Sequence, residues 1–360
     1  MTDTLHPIPP RVPVTLLTGF LGAGKTTLLN AVISDANGPK IAVIVNEFGE
    51  AGLDHDLIEA VDEDVVLMQS GCLCCSIRGD LSRTLQNLVS RKQDGLVAFD
   101  RVVIETTGLA DPGPILQTFV ADRFLANEFH MDGVITVVDA ATGPDTLNRQ
   151  FEAVSQVAMA DLLLLSKTDL TPESDTHAFE TRLRALNQTA KILKTDRGVV
   201  PTTSLWGLTG MRPQKTFNQA MSWLTPTATS DPLDNLSGFA PTDPPSADLH
   251  KHDARIGSAS IILDDPIPIA AFDLWLDTLI MLRGPDILRV KGIVHLEGIE
   301  KPFVFHGVQH LFDPPVPLKD WQGGDRQSRI VVIARDMTRA ELVHSLNVLR
   351  AQKLSETPPV

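Results

Sequence analysis

The chain has 360 residues, a length that favours two domains over one. A hydrophobic fraction of 43% and a charged fraction of 21% are ordinary for a globular protein with a real core. The formal net charge of −14 argues against nucleic acid or an anionic membrane as the main partner.

No apolar run approaches the roughly 20 residues of a membrane helix, and the N-terminus MTDTLHPIPPR lacks a basic patch followed by an apolar segment. A cytoplasmic protein is therefore expected.

Continuous apolar runs alternate with helix-like segments through the first 225 residues. VPVTLLT (12–18), KIAVIVN (40–46), DVVLMQS (64–70), RVVIETT (101–107), GVITVVD (133–139), DLLLLSK (161–167) and GVVPTTS (198–204) read as strands. They are rich in Val, Ile and Leu without alternation, the pattern of strands buried on both faces of a parallel sheet. Helices are expected at 26–34, 81–93, 151–159 and 177–188, with Asp111 capping another that begins at Pro112. The fold class is α/β, a doubly wound and mostly parallel sheet over residues 1–225.

Residues 225–253 are rich in Pro, Ser, Thr and Asp and read as a linker or long surface loop, so the domain assignment takes 226–253 as linker. A smaller α+β domain is expected over 254–360. Its strands are predicted at 255–263, 289–298, 303–312 and 329–336, and its helices at 269–283 and 339–350.

GFLGAGKT (19–26) fits G-x-x-x-x-G-K-[ST], follows a predicted strand and opens a helix. Gly19, Gly22 and Gly24 let the backbone bend, so that N–H groups of the loop through Ala23 turn toward phosphate oxygens. The helix N-terminus adds to the cradle. Lys25 is expected on the β and γ phosphates, Thr26 on Mg²⁺ and Thr27 on the α phosphate.

SKTD (166–169) ends the run DLLLL and is similar to the guanine-reading N-K-x-D of GTPases. Asp169 can accept from N1–H and the 2-amino group of guanine, whereas adenine would leave the carboxylate unpaired. Lys167 can pack on the base. Ser166 stands in place of Asn and is expected to brace the loop less well. ETTG (105–108) offers Glu105 to the Mg²⁺ shell and a Gly108 N–H to the γ phosphate. Asp139 is read as a carboxylate capping the next helix.

GCLCC (71–75) holds Cys72, Cys74 and Cys75, all the cysteines of the chain. Without distant partners they make a poor disulfide framework. Three thiolates and one further ligand satisfy a tetrahedral Zn²⁺ or a similar ion such as Co²⁺. The fourth ligand could be water, His or a carboxylate, with Glu47, Glu50 and Asp54 as candidates and Glu50 carried forward. Redox chemistry and plain packing are the alternatives. GFLGAGKT, GCLCC, ETTG and SKTD each follow a strand directly, so they should converge at the carboxyl ends of one sheet.

GFLGAGKTTLLN, NEFGE, GCLCC, ETTGLADP and SKTD together resemble the CobW family of P-loop GTPases, in the family's order and over nearly the whole chain. The resemblance implies a GTP-dependent metallochaperone whose metal-binding cysteines are Cys72, Cys74 and Cys75. Ser166 departs from the commoner Asn, and Val45 stands where some members have Glu. The histidine-rich tract of some members is reduced to His250-Lys251-His252, read as solvated. His295, His306 and His310 are read as ordinary core or surface residues. Arg78 and Arg83 are read as helix-surface charges, which leaves no evident arginine finger and predicts slow hydrolysis without a partner.

The expected function is GTP hydrolysis coupled to Zn²⁺ or Co²⁺ delivery to a client protein. A monomer, or a dimer dependent on metal or nucleotide, is expected. A small-molecule kinase and an ungated metal store or sensor are the competing readings.

Overall fold

The computed structural model describes residues 11–35, 38–46, 66–69, 77–195, 199–209, 220–221, 224, 255–309, 311–312, 315–318, 321 and 326–351. The expected linker lies outside these residues, as do NEFGE from Glu47 onward, GCLCC, Arg78's side chain, His250, His252 and His310.

The first part builds one sheet from β1 (Val12–Gly19), β2 (Ile41–Asn46), β3 (Val66–Gln69), β4 (Arg101–Thr106), β5 (Phe129–Asp139), β6 (Leu162–Ser166) and β7 (Lys191–Lys194). Their order is β3-β2-β4-β1-β5-β6-β7, and every neighbouring pair is parallel. The helices are α1 (Lys25–Ile33), α2 (Ile77–Gln93), α3 (Gly113–Ala121), α4 (Arg123–Glu128), α5 (Gly143–Arg149), α6 (Phe151–Met159) and α7 (Glu173–Leu186).

Alternate residues of each strand point to opposite faces, and here both faces are covered. Leu17, Val43, Val103 and Val137 pack with Leu28 of α1, Val154 of α6 and Leu183 of α7. Leu16, Ile44, Val102 and Ile104 pack with Leu85 of α2 and Phe119 of α3 on the other side. This double burial is why the strands read as unbroken apolar runs.

Several expectations change. The strand at 198–204 does not form; Thr202–Leu205 is a 3-10 turn. The sheet edge is instead β7, KILK, whose residues are half-buried or exposed. A short edge strand with lysines at both ends carries little of the apolar signal that marks the central strands. Most helix ends shift by a few residues; α3 begins at Gly113, whose N–H donates to Asp111 Oδ1 at 2.8 Å. The N-cap is thus Pro112, and Asp111, expected there, stands one residue outside the helix and braces its entry.

The second sheet contains β8 (Ile256–Leu263), β9 (Ile287–Val294), β10 (Phe303–Val308), β11 (Leu311–Phe312), β12 (Val316–Pro317) and β13 (Ser328–Arg335). Its order is β11-β10-β9-β13-β8, with β12 also paired to β10. The run 303–312, expected as one strand, is two: Gln309 turns at φ 57° between β10 and the antiparallel β11.

Helices α8 (Ile269–Arg283) and α9 (Arg339–Ala351) cover one face through Phe272, Trp275, Leu342 and Leu346. The other face meets the first sheet's layer, where Leu288, Val308 and Ile333 join the cluster around Phe119. Consequently β9 is buried along its whole length. Among the described residues no helix is long and apolar enough to cross a membrane.

Candidate nucleotide and metal site

The carboxyl end of β1 runs into the phosphate loop. Gly19, Gly22 and Gly24 have φ of 140°, 71° and 103°, values that disfavour any side chain. A Cβ on Gly19 would also lie 2.2 Å from the Val137 carbonyl oxygen on β5. Gly22 and Gly24 face open space, so only their backbone conformation demands glycine. Lys25 is buried, and its Nζ donates to Gly19 O at 3.1 Å and Phe20 O at 3.2 Å. The loop thus holds the ammonium against its own carbonyls. Ala23 is buried under the loop and Thr27 is exposed on the first turn of α1.

Thr26 and Glu105, 79 positions apart, come together: Thr26 Oγ1 lies 3.5 Å from Glu105 Oε1. Adjacent β1 and β4 are the cause, with Leu17 in register with Glu105. Two hard oxygen donors side by side, below a phosphate loop, suit Mg²⁺. Behind them Thr106 donates to Thr18 at 2.8 Å, closing the seam between the strands. Gly108 lies against the loop itself; a Cβ there would sit 2.5 Å from Leu21 Cα. The ETTG turn therefore reaches the phosphate loop only because residue 108 lacks a side chain.

The SKTD turn follows β6. Lys167 adopts φ 56°, and Thr168–Leu170 form a 3-10 turn that leaves Asp169 exposed. Ser166 braces this turn through its hydroxyl. Its Oγ donates to Ala23 O at 2.7 Å and also lies 3.2 Å from Val138 O. The serine reaches the phosphate loop directly, because β6 ends close under it.

Asp139 accepts from Ala141 N at 2.7 Å and Thr142 N at 3.1 Å, which braces the turn ahead of α5; the helix itself has Thr142 as its N-cap, so the expected helix cap is a turn brace. The second oxygen of Asp139 pairs with Lys167, a contact sequence reading missed. Only the adjacency of β5 and β6, with Asp139 in register with Ser166, brings the two together.

Phosphate loop, Thr26–Glu105, Gly108 and SKTD thus converge on the carboxyl ends of β1, β4 and β6. Cys72, Cys74, Cys75 and Glu50 lie outside the described residues. Among the described residues no three His, Cys, Asp or Glu side chains are grouped to hold a metal ion. His295 is buried with its ring 5.3 Å from that of Trp321, as expected of a core histidine.

Comparison with known proteins agrees with this geometry. Residues 13–194 match the model of the CobW/HypB/UreG nucleotide-binding domain, and residues 256–350 that of the cobalamin synthesis protein cobW C-terminal domain. The chain is 33% identical to the zinc chaperone YjiA of Escherichia coli, over 92% of this chain and 96% of that one. It is 31% identical to the zinc chaperone CobW of Pseudomonas aeruginosa, over 95% and 92%. The crystal structure of Zn(II)-bound YjiA GTPase from E. coli superposes with a TM-score of 0.71 at 30% identity, covering 95% of this chain and 99% of that one. With both of its domains matched and its phosphate loop built as above, the chain belongs to the CobW family of P-loop GTPases.

Proposed function

We propose that this GTPase carries Zn²⁺, with Co²⁺ as the alternative cargo, on Cys72, Cys74 and Cys75 and hands it to a client protein under nucleotide control. One observation carries the reading. β3, whose carboxyl end leads into GCLCC, is parallel to β2, and β2 is parallel to β4, the strand of Glu105. The carboxyl end of β3, three residues ahead of Cys72 in sequence, therefore lies on the same rim as that of β4, the strand of Glu105. Two relatives matched along their length carry the name zinc chaperone.

In this reading Lys25 meets the β and γ phosphates, Thr27 the α phosphate, and the Gly108 N–H the γ phosphate. Thr26 and Glu105 would hold Mg²⁺, which when bound neutralises charge on the phosphate oxygens. Asp169 reads guanine and Ser166 keeps that turn in register with the phosphate loop. GTP orders residues 46–54 and the loop after Cys75, with Glu50 a candidate fourth ligand, and so raises metal affinity. Hydrolysis reverses this and releases the metal. Linkage requires metal to tighten GTP binding by the same factor, typically about 5- to 150-fold.

A chelator-competition titration of Zn²⁺ and Co²⁺ tests the proposal on the apo protein, with Mg·GDP and with a slowly hydrolysed GTP analogue. Much tighter binding with the triphosphate, lost in Cys74→Ala, is expected. Equal affinity in all three states would leave an ungated metal store. Separately, Lys25→Ala is expected to lower kcat for GTP by about 100- to 1000-fold, the usual cost of losing a group aimed at developing charge. Steady-state phosphate release checks it, and a loss below about threefold would remove Lys25 from the phosphates.

A further inference from the structure

Gln156 lies in the middle of α6, fully buried among apolar neighbours. Its Nε2 donates to two backbone carbonyls of the ETTG turn, Gly108 O at 3.3 Å and Ala110 O at 2.9 Å. Two acceptors at one end require the amide NH₂ there, which settles its orientation. The backbone carbonyl of Gln156 accepts from Thr136 Oγ1 at 2.9 Å, fixing α6 to β5. The turn it holds is closed by Ala110 N to Thr107 O at 3.1 Å, and presses Gly108 onto Leu21 of the phosphate loop.

We propose that Gln156 is a positioning residue for GTP hydrolysis: it sets the Gly108 backbone at the place where its N–H meets the γ phosphate. The proposal rests on the reading of Gly108 as a γ-phosphate contact. The Gly108 carbonyl lies in the planar 108–109 peptide unit, so holding it fixes that unit. With the Ala110 N to Thr107 O bond closing the turn and Leu21 against Gly108, little freedom is left in the two Gly108 torsions that aim its own N–H. Preorganised donors stabilise charge that develops during phosphoryl transfer and cost no reorganisation then. GDP lacks the γ phosphate and should not sense Gln156. A glutamine that merely satisfies two buried carbonyls would affect both nucleotides alike.

Gln156→Met keeps the length of the side chain and removes the donor. Fluorescence titration of the full chain with GDP and with a slowly hydrolysed GTP analogue reads the effect, beside single-turnover hydrolysis. Triphosphate affinity should fall about tenfold, the equivalent of one buried hydrogen bond, with GDP affinity within about twofold of the unmutated chain. Equal weakening of both nucleotides, or of neither, overturns the proposal.

The Gly108 backbone amide resonance of the unmutated protein keeps the two failures apart. If it moves between the GDP and analogue states while Gln156→Met loses no triphosphate selectively, Gln156 alone is misassigned. If the Gly108 amide does not move, the Gly108 reading fails and the proposal with it. Should Gln156→Met fail to melt cooperatively, the side-chain amide resonance of Gln156 in the unmutated protein decides. It should move between the GDP and analogue states, and an unmoved resonance overturns the proposal.

Discussion

Replacing Asp169 by Asn is expected to convert preference for GTP into preference for XTP. A carboxylate accepts from both the N1–H and the 2-amino group of guanine. Xanthine carries a carbonyl in place of that amino group, so the carboxylate would face an acceptor. An asparagine amide accepts from N1–H and donates to that carbonyl, and leaves guanine's amino group facing a donor.

Sites built around such pairs reject the mismatched partner by several orders of magnitude, because a desolvated polar group is left unpaired. Asp169 is exposed in this structure, which lowers the cost, so a loss of at least about a hundredfold in kcat/KM for GTP is expected. The structural ground for a clean switch is Ser166, whose bond to Ala23 O ties the SKTD turn to the phosphate loop. Measuring kcat/KM for GTP and XTP on both chains decides the matter. An unchanged GTP preference would mean that the SKTD turn does not read the base.

Asp161→Asn should cost about 3–5 kcal/mol of stability, the usual penalty for removing one member of a buried charge group. Asp161 lies just before the amino end of β6 in the first domain, while its cationic partners come from β9. Arg289 pairs with Asp161 Oδ1 and also donates to Met159 O at the end of α6. Lys291 Nζ lies 3.0 Å from the same carboxylate oxygen. Val134 N donates to the other oxygen at 3.0 Å. All three charged side chains are at most 2% exposed, so solvent screens the interaction little.

Burial alone would raise the Asp161 pKa. Arg289 and Lys291, with a further contribution from His306, outweigh it and hold the carboxyl well below the usual carboxylate range. A carboxylate lowered in this way contributes stability that is complete above its unfolded pKa of about 3.9. The contribution is lost as pH falls below that value toward the folded pKa. Urea unfolding at neutral pH should therefore show the full deficit of the Asn chain. Below about pH 4 the deficit should shrink, because the unmutated protein is losing what the variant never had. A deficit under about 1 kcal/mol at neutral pH would mean that the two sheets are held by apolar contact alone.

Much of this protein was legible in the sequence because its signals are local. A phosphate loop needs glycines and a lysine at set spacings next to one strand and one helix, so GFLGAGKT declared itself. The central strands were legible because burial on both faces leaves no polar alternation to confuse them. α6 and α8 fall where their apolar spacing put them, at 151–159 and 269–283.

What sequence reading missed depends on distant partners. β7 was overlooked because an edge strand carries little apolar signal. Ser166 looked like a poor substitute for Asn, yet it reaches Ala23, 143 positions away, because β6 ends under the phosphate loop. Gln156 gave no sign of its role, since its acceptors lie 46 and 48 positions earlier in the chain. The pairing of Asp161 with Arg289 spans 128 positions and two domains. The sequence by itself determined the type of each domain, the order of its motifs and the rim shared by the phosphate loop, ETTG and SKTD, because those follow from short-range pattern and strand direction. Only the tertiary structure decided which side chains brace that rim, because a buried polar group takes whatever partner the packing of remote segments brings within hydrogen-bond reach.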